Sequence, residues 1–162
     1  MRETASVAGE TSLSVLLASM SATLRPGEYV FSTVVGLEAT TGVEVLASVT
    51  EPEGLSLVTT RDEADRTGLP YDFVAAWITL RVHSALDAVG LTAAVSSALT
   101  EAGISCNVIA GYYHDHLLVP ADRGQQALSV LLDLAATSPR PILGTGCGAS
   151  GAAHERESTS GL

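Results

Sequence analysis

Lysine is absent from this 162-residue chain. Without it there is no Schiff base, so pyridoxal-type catalysis is excluded. The phosphate-gripping lysine of a Walker-type loop is missing too. Positive charge of any kind is scarce. Eight basic residues, all arginine, stand against eighteen acidic ones, a net charge of −10. The arginines form no stripe in sequence, so nucleic acid, whose binding rests on basic groups displacing counterions, is excluded as a partner. Cysteine is limited to Cys106 and Cys147, too few for a disulfide framework and consistent with a reducing cytosol. No apolar run approaches the ~20 residues of a membrane span, so no membrane partner is expected. The short apolar stretch at residues 13–20 follows Glu3 and Glu10 rather than positive charge, which argues against a signal peptide. The expected location is cytoplasmic.

What is present is enough for a core. Apolar residues make up 46% of the chain, and mean hydropathy is +0.32. The two ends differ from the middle. Residues 1–11 and 137–162 lack periodicity, and the second stretch is rich in Gly, Ser, Pro and Ala, so both are expected to be disordered. Between them, residues 12–72 and 73–136 form two halves.

In the first half a short helix is expected at 12–20, followed by a turn at Pro26-Gly27. Strands are expected at 28–35, 43–49 and 55–59, with Glu51-Pro52-Glu53-Gly54 as a turn. Thr60-Arg61-Asp62-Glu63 is a capping-box pattern, and Gly68 ends the helix it starts. The second half is clearer. A β-rich run covers 73–82. Ser84 and Asp87 give a helix-start signal. Leu91, Ala94, Val95, Ala98, Leu99 and Ala102 then recur at helical spacing, and Gly103 stands at the left-handed stop. Strands are expected at 105–110 and 116–119. Asp122 with Gln125 reads as a second capping box before a helix that stops short of Pro139. The order β-α-β-β-α is that of a ferredoxin-like sheet that lacks its fourth strand. That strand is expected to come from the first half, by exchange of strands within one body. The fold class is therefore α+β.

The chemistry-bearing residues are few. His114 and His116 are two apart, so on a strand they would share a face, which is metal-ligand geometry. The bland reading is a polar hairpin. Gly146-Cys147-Gly148-Ala149-Ser150-Gly151 matches a dinucleotide fingerprint, but no βαβ unit surrounds it, and it is rejected. Cys106 lies in mid-strand with no base in register, which makes a poor nucleophile.

Two segments carry a family resemblance. Val82-His83-Ser84-Ala85-Leu86-Asp87-Ala88-Val89-Gly90-Leu91-Thr92 and Glu101-Ala102-Gly103-Ile104-Ser105-Cys106-Asn107-Val108-Ile109 together resemble an ACT domain. Leu24-x-Pro26-Gly27-Glu28-Tyr29-Val30-Phe31, Glu53-Gly54-Leu55 and Gly111-Tyr112-Tyr113-His114-Asp115-His116 extend the likeness to small stand-alone tandem-ACT proteins of bacteria. The resemblance implies two βαββαβ units in tandem and an amino-acid effector held where ACT units meet, in a homodimer. Carried over by position, it implies contacts from His83, Ser84, Gly90 and Leu91 in the loop and helix start, and from Asn107, Val108 and Ile109 in the following strand. Val89 stands where the family's loop has proline. Ala85 stands where serine-binding members have asparagine.

A physical reading of the same residues stands beside the resemblance. A zwitterion needs both charges paired when it leaves water. A helix N-terminus offers free N–H groups to a carboxylate. Asn107 can donate and accept at once, and Asp87 could take an ammonium. The expected function is a regulatory or sensor protein that binds an amino acid or similar small molecule, with no cofactor and no catalysis of its own. Two alternatives are a metal protein or enzyme built on His114 and His116, and a ligand-free dimerisation module.

Overall fold

The β-branched and aromatic run after Glu28 forms a strand, but one twice the expected length. In the computed structural model, which describes residues 10–82 and 88–138, β1 covers Ser21–Val34. The expected turn at Pro26-Gly27 lies inside it as a bulge. Arg25 pairs with Trp77 and Tyr29 with Ala75, so three residues of β1 oppose one of its neighbour. Proline cannot donate to a ladder, and Gly27 takes φ 95°, so the two are tolerated where the ladder is interrupted.

The other elements follow in order. Helix α1 is Leu13–Ser19. A 3-10 turn at Leu37–Thr40 leads to β2 (Ala47–Glu51), which starts later than the run at 43–49 because its pairing with β3 (Gly54–Thr60) begins at Ala47. Helix α2 (Arg61–Thr67) uses half of its capping box. The Thr60 hydroxyl accepts from the Glu63 N–H, and Gly68 closes the helix at φ 72°. The Glu63 carboxylate turns elsewhere, to the Glu44 N–H at 2.8 Å and to Arg66 at 2.6 Å. Then come β4 (Val74–Arg81), α3 (Leu91–Glu101), β5 (Asn107–Ala110), β6 (Asp115–Pro120) and α4 (Gly124–Thr137). The second capping box does not form. Asp122 falls within a 3-10 turn, Ala121–Arg123, and no side chain caps α4. That entry lets Gly124 come so close to Ala76 that an added Cβ would lie 2.7 Å from the Ala76 Cβ. The terminal segments 1–9 and 139–162, with the Gly-Cys-Gly motif, lie outside the described residues.

All six strands form one antiparallel sheet in the order β2-β3-β1-β4-β6-β5. It contains two βαββαβ-like units that overlap. Read from β1, the order β2-β3-β1-β4 is ferredoxin-like, with the 3-10 turn in place of the first helix. Read from β4, the order β5-β6-β4-β1 is the same pattern with both helices, α3 and α4. The place of a fourth strand beside β4 is taken by residues 21–25 of β1.

The sheet has a core on each face. Ala76, Ile78, Leu80, Leu117 and Val119 point toward α1, α3 and α4, where they meet Leu16, Val95, Leu99, Ala127 and Leu131. Their neighbours one residue along point the other way. Ala75, Trp77 and Leu118 join Tyr29 and Val58 in a smaller core, with Phe31, Ala47, Phe73 and Ile109 packed around it. Among the described residues no helix lies over the second face, and its aromatic side chains cover one another.

Glu63 ties α2 to the segment before β2. The Arg66 guanidinium, then the Glu44 N–H, holds its carboxyl down at about 2. Arg66 reaches on to the Gly42 carbonyl at 2.7 Å. A depressed carboxyl stabilises the folded state above its unfolded pKa, and the effect is lost as pH falls toward the folded value. Amide exchange at Glu44 should therefore accelerate between pH about 4.5 and 2, after correction for the intrinsic rate. Glu63→Gln should show the faster exchange already at pH 7.

Candidate functional site

Among the described residues, the structure does not bring the expected site residues together within one chain. His83, Ser84 and Asp87 lie outside the described residues. Gly90 is the N-cap of α3 at φ 104°, and its Cα lies against α1, where an added Cβ would come 2.9 Å from Leu13 Cδ2. Leu91, the first helical residue, is buried in the helix-side core. On β5 the strand period separates the other three. Asn107 pairs with Leu118 and Ile109 with His116, which puts both on the helix-free face. Val108 pairs with Leu117 and packs against the helix-side core. Asn107 and the α3 entry are thus on opposite sides of the sheet. Sequence spacing placed them near one another along the chain, but only the rung partner of Asn107 decides its side.

Asn107 does border a cavity. The sheet curls until β2 and β3 at one edge confront β5 at the other. The cleft between them, about 400 Å³, is bounded by Phe31, Val49, Val58, Cys106, Asn107 and Ile109, with Ser48 and Ser56 among its polar groups. Asn107 is exposed at this lip. Ser56, part of the lining across the cleft, donates its hydroxyl to the Glu51 carboxylate. Burial pushes the Cys106 thiol up, so it is a neutral wall group rather than a nucleophile. The arrangement offers an apolar floor, a carboxamide and a carboxylate. Nothing in the strand pattern of 43–59 indicated that β2 and β3 would share a cleft with Asn107.

Beside this cleft is an aromatic cluster. Trp77 meets Tyr29 edge-on at 5.2 Å and His116 at 5.2 Å, and Arg25 stacks 5.3 Å from the Trp77 ring. The indole N–H donates to His116 Nδ1 at 3.2 Å, and the Thr79 hydroxyl lies 3.1 Å from the same atom. An indole can only donate, so Nδ1 carries no proton and the ring is neutral. His116 is therefore committed to Trp77, while His114 sits in the turn before β6. Among the described residues no group of three His, Cys, Asp or Glu could hold a metal ion.

A sheet of overlapping βαββαβ-like units with its helices on one side defines a class, paired modules of the ferredoxin-like type. The sequence comparisons narrow it. ACT-domain profiles match residues 8–76 and 73–133, and the chain belongs to the ACT-domain family. A Vibrio cholerae protein, described as of unknown function and a possible transport protein, is 50% identical over 77% of this chain and 97% of its own, with a TM-score of 0.71. An Agrobacterium tumefaciens protein shares 21% identity over 72% of this chain and 89% of its own, with a TM-score of 0.54. The regulatory subunit of aspartate kinase from Thermus flavus shares the fold at 11% identity, covering 70% of this chain and 96% of its own, with a TM-score of 0.57. No curated protein matches the chain.

Burial holds the His116 imidazole below its ordinary value. Nearby His114 and Arg25 push the same way, and Asp115 opposes them. As pH falls through about 6.5 the unfolded chain takes up the proton first, so this group's contribution to stability declines below that pH. An NMR titration should place the His116 midpoint below that of a free histidine. Protonation should also perturb Trp77 emission, and His116→Phe should abolish that emission step.

Proposed function

We propose that this protein is a regulatory or sensor module that binds an amino acid or closely similar zwitterion in the cleft between β2–β3 and β5, and performs no chemistry on it. The observation that carries this reading is the cleft itself: Asn107 on one side, Ser56 with its carboxylate partner Glu51 on the other, and an apolar floor of Phe31, Val58 and Ile109. A carboxamide suits the carboxylate of such a ligand, a carboxylate suits its ammonium, and both charges remain paired when water leaves. Membership in the ACT family, together with the fold shared with an aspartate kinase regulatory subunit, supports a small-molecule-binding regulatory role. The homodimer belongs to the same proposal, since the α3 entry and Asn107 do not meet within one chain and a second copy is the means by which they would.

Thermal-shift screening of the twenty amino acids against the full chain tests this directly. A ligand at 100 times its dissociation constant should add about 2.7 kcal/mol of stability. Asn107→Ala should weaken that ligand at least tenfold while leaving the unliganded melting temperature nearly unchanged, since the side chain is exposed. Absence of a shift with every amino acid would sink the reading. A ligand whose affinity ignores Asn107 would move the site elsewhere.

A further inference from the structure

A second cleft, on the same helix-free face but at the opposite end of the β1–β4 ladder, points to a different ligand. Its volume is about 340 Å³, and its polar lining is Arg25, Arg81, His114, Thr23 and Thr79, with no carboxylate. The register explains the grouping. Thr23 pairs with Thr79, and the flanking rungs on that face are Arg25 opposite Trp77 and Ser21 opposite Arg81. Two guanidinium groups, one from each strand, thus bracket a pair of hydroxyls.

The charge balance makes this unusual. The chain carries eighteen acidic residues and eight basic ones. Among the described residues, the ion pairs of Arg61 and Arg66 take up Glu28, Asp65 and Glu63. Among the described residues, neither Arg25 nor Arg81 has a carboxylate within ion-pair distance. Arg25 is held in place instead by stacking, 5.4 Å from the Tyr29 ring and 5.3 Å from that of Trp77. A guanidinium carries an N–H fork that can receive a carboxylate or phosphate in two parallel hydrogen bonds. Two guanidinium groups lining one cleft of an acidic molecule offer positive charge to an anion that enters it.

We propose that this cleft is an anion site for a small carboxylate- or phosphate-bearing molecule, gripped by Arg25 and Arg81 and seated on the Thr23 and Thr79 hydroxyls. It is separate from the Asn107 cleft, and neither reading depends on the other.

Trp77 is the chain's one tryptophan and touches Arg25, so its emission reports occupancy. The full chain is titrated with inorganic phosphate and, separately, with succinate, with sodium chloride holding the ionic strength constant. At least one of the two should produce a saturable change in emission that chloride alone does not reproduce, and whichever responds distinguishes phosphate from carboxylate recognition. Arg81→Gln removes an exposed side chain that has no carboxylate partner among the described residues. It should weaken binding at least tenfold while leaving the unliganded emission spectrum and melting temperature as they were. Arg81→Lys keeps the charge but loses the fork, and should fall between the two. Asn107→Ala should bind the anion like the parent chain. No saturable response to either anion, or equal affinity in Arg81→Gln, would overturn the proposal.

Discussion

The structure depends on β1 serving two neighbours at once. Residues 29–34 pair with β3 and residues 21–30 with β4, across a bulge at residues 25–29. The bulge inserts two extra residues, an even number, so the side chains on the two sides of Pro26-Gly27 keep their faces. Leu24 joins the helix-side core while Arg25 and Tyr29 both lie against Trp77 on the other. A one-residue slip in either half would move that set to the wrong side. The two clefts follow from the same constraint. One lies where the edges of the curled sheet confront each other, the other beside the bulge on the β1–β4 ladder.

The helix-free face is where the protein does what an ordinary core does not. A fully helix-covered sheet hides both of its faces. Here one side has only its own aromatic side chains for cover, so Tyr29, Phe31, Phe73 and Trp77 are packed against each other and against Ile109 and Leu118. That cover leaves room at both ends for polar groups that stay reachable. Trp77 links the two ends, touching Arg25 and His116 while belonging to the same small core that floors the Asn107 cleft.

Much of the architecture was legible in the sequence because it is written in local chemistry. Thr60 with Glu63 and Gly68 marked both ends of α2, and the apolar stripe from Leu91 to Ala102 marked α3 with its left-handed stop at Gly103. The absent fourth strand of the second half was visible as an absence. Local chemistry misled where tertiary packing decided. Pro26-Gly27 has the composition of a turn and is a bulge. Asp122 and Gln125 have the spacing of a capping box, but the approach of Gly124 to Ala76 draws Asp122 into a 3-10 turn. Of the expected site, the side of the sheet on which Asn107 would fall was not readable, because it is set by the rung partner Leu118. Arg25 and Arg81 are fifty-six positions apart in sequence, and only the β1–β4 register makes them neighbours.

Because β1 and β4 each belong to both units, neither half is a self-sufficient body. A cut anywhere between them would strip one half of the partner that completes its ladder, leaving long open edges and half-covered aromatic rings. Duplicated modules commonly melt in two steps and tolerate separation, but here the shared strands bind the pair into one cooperative transition.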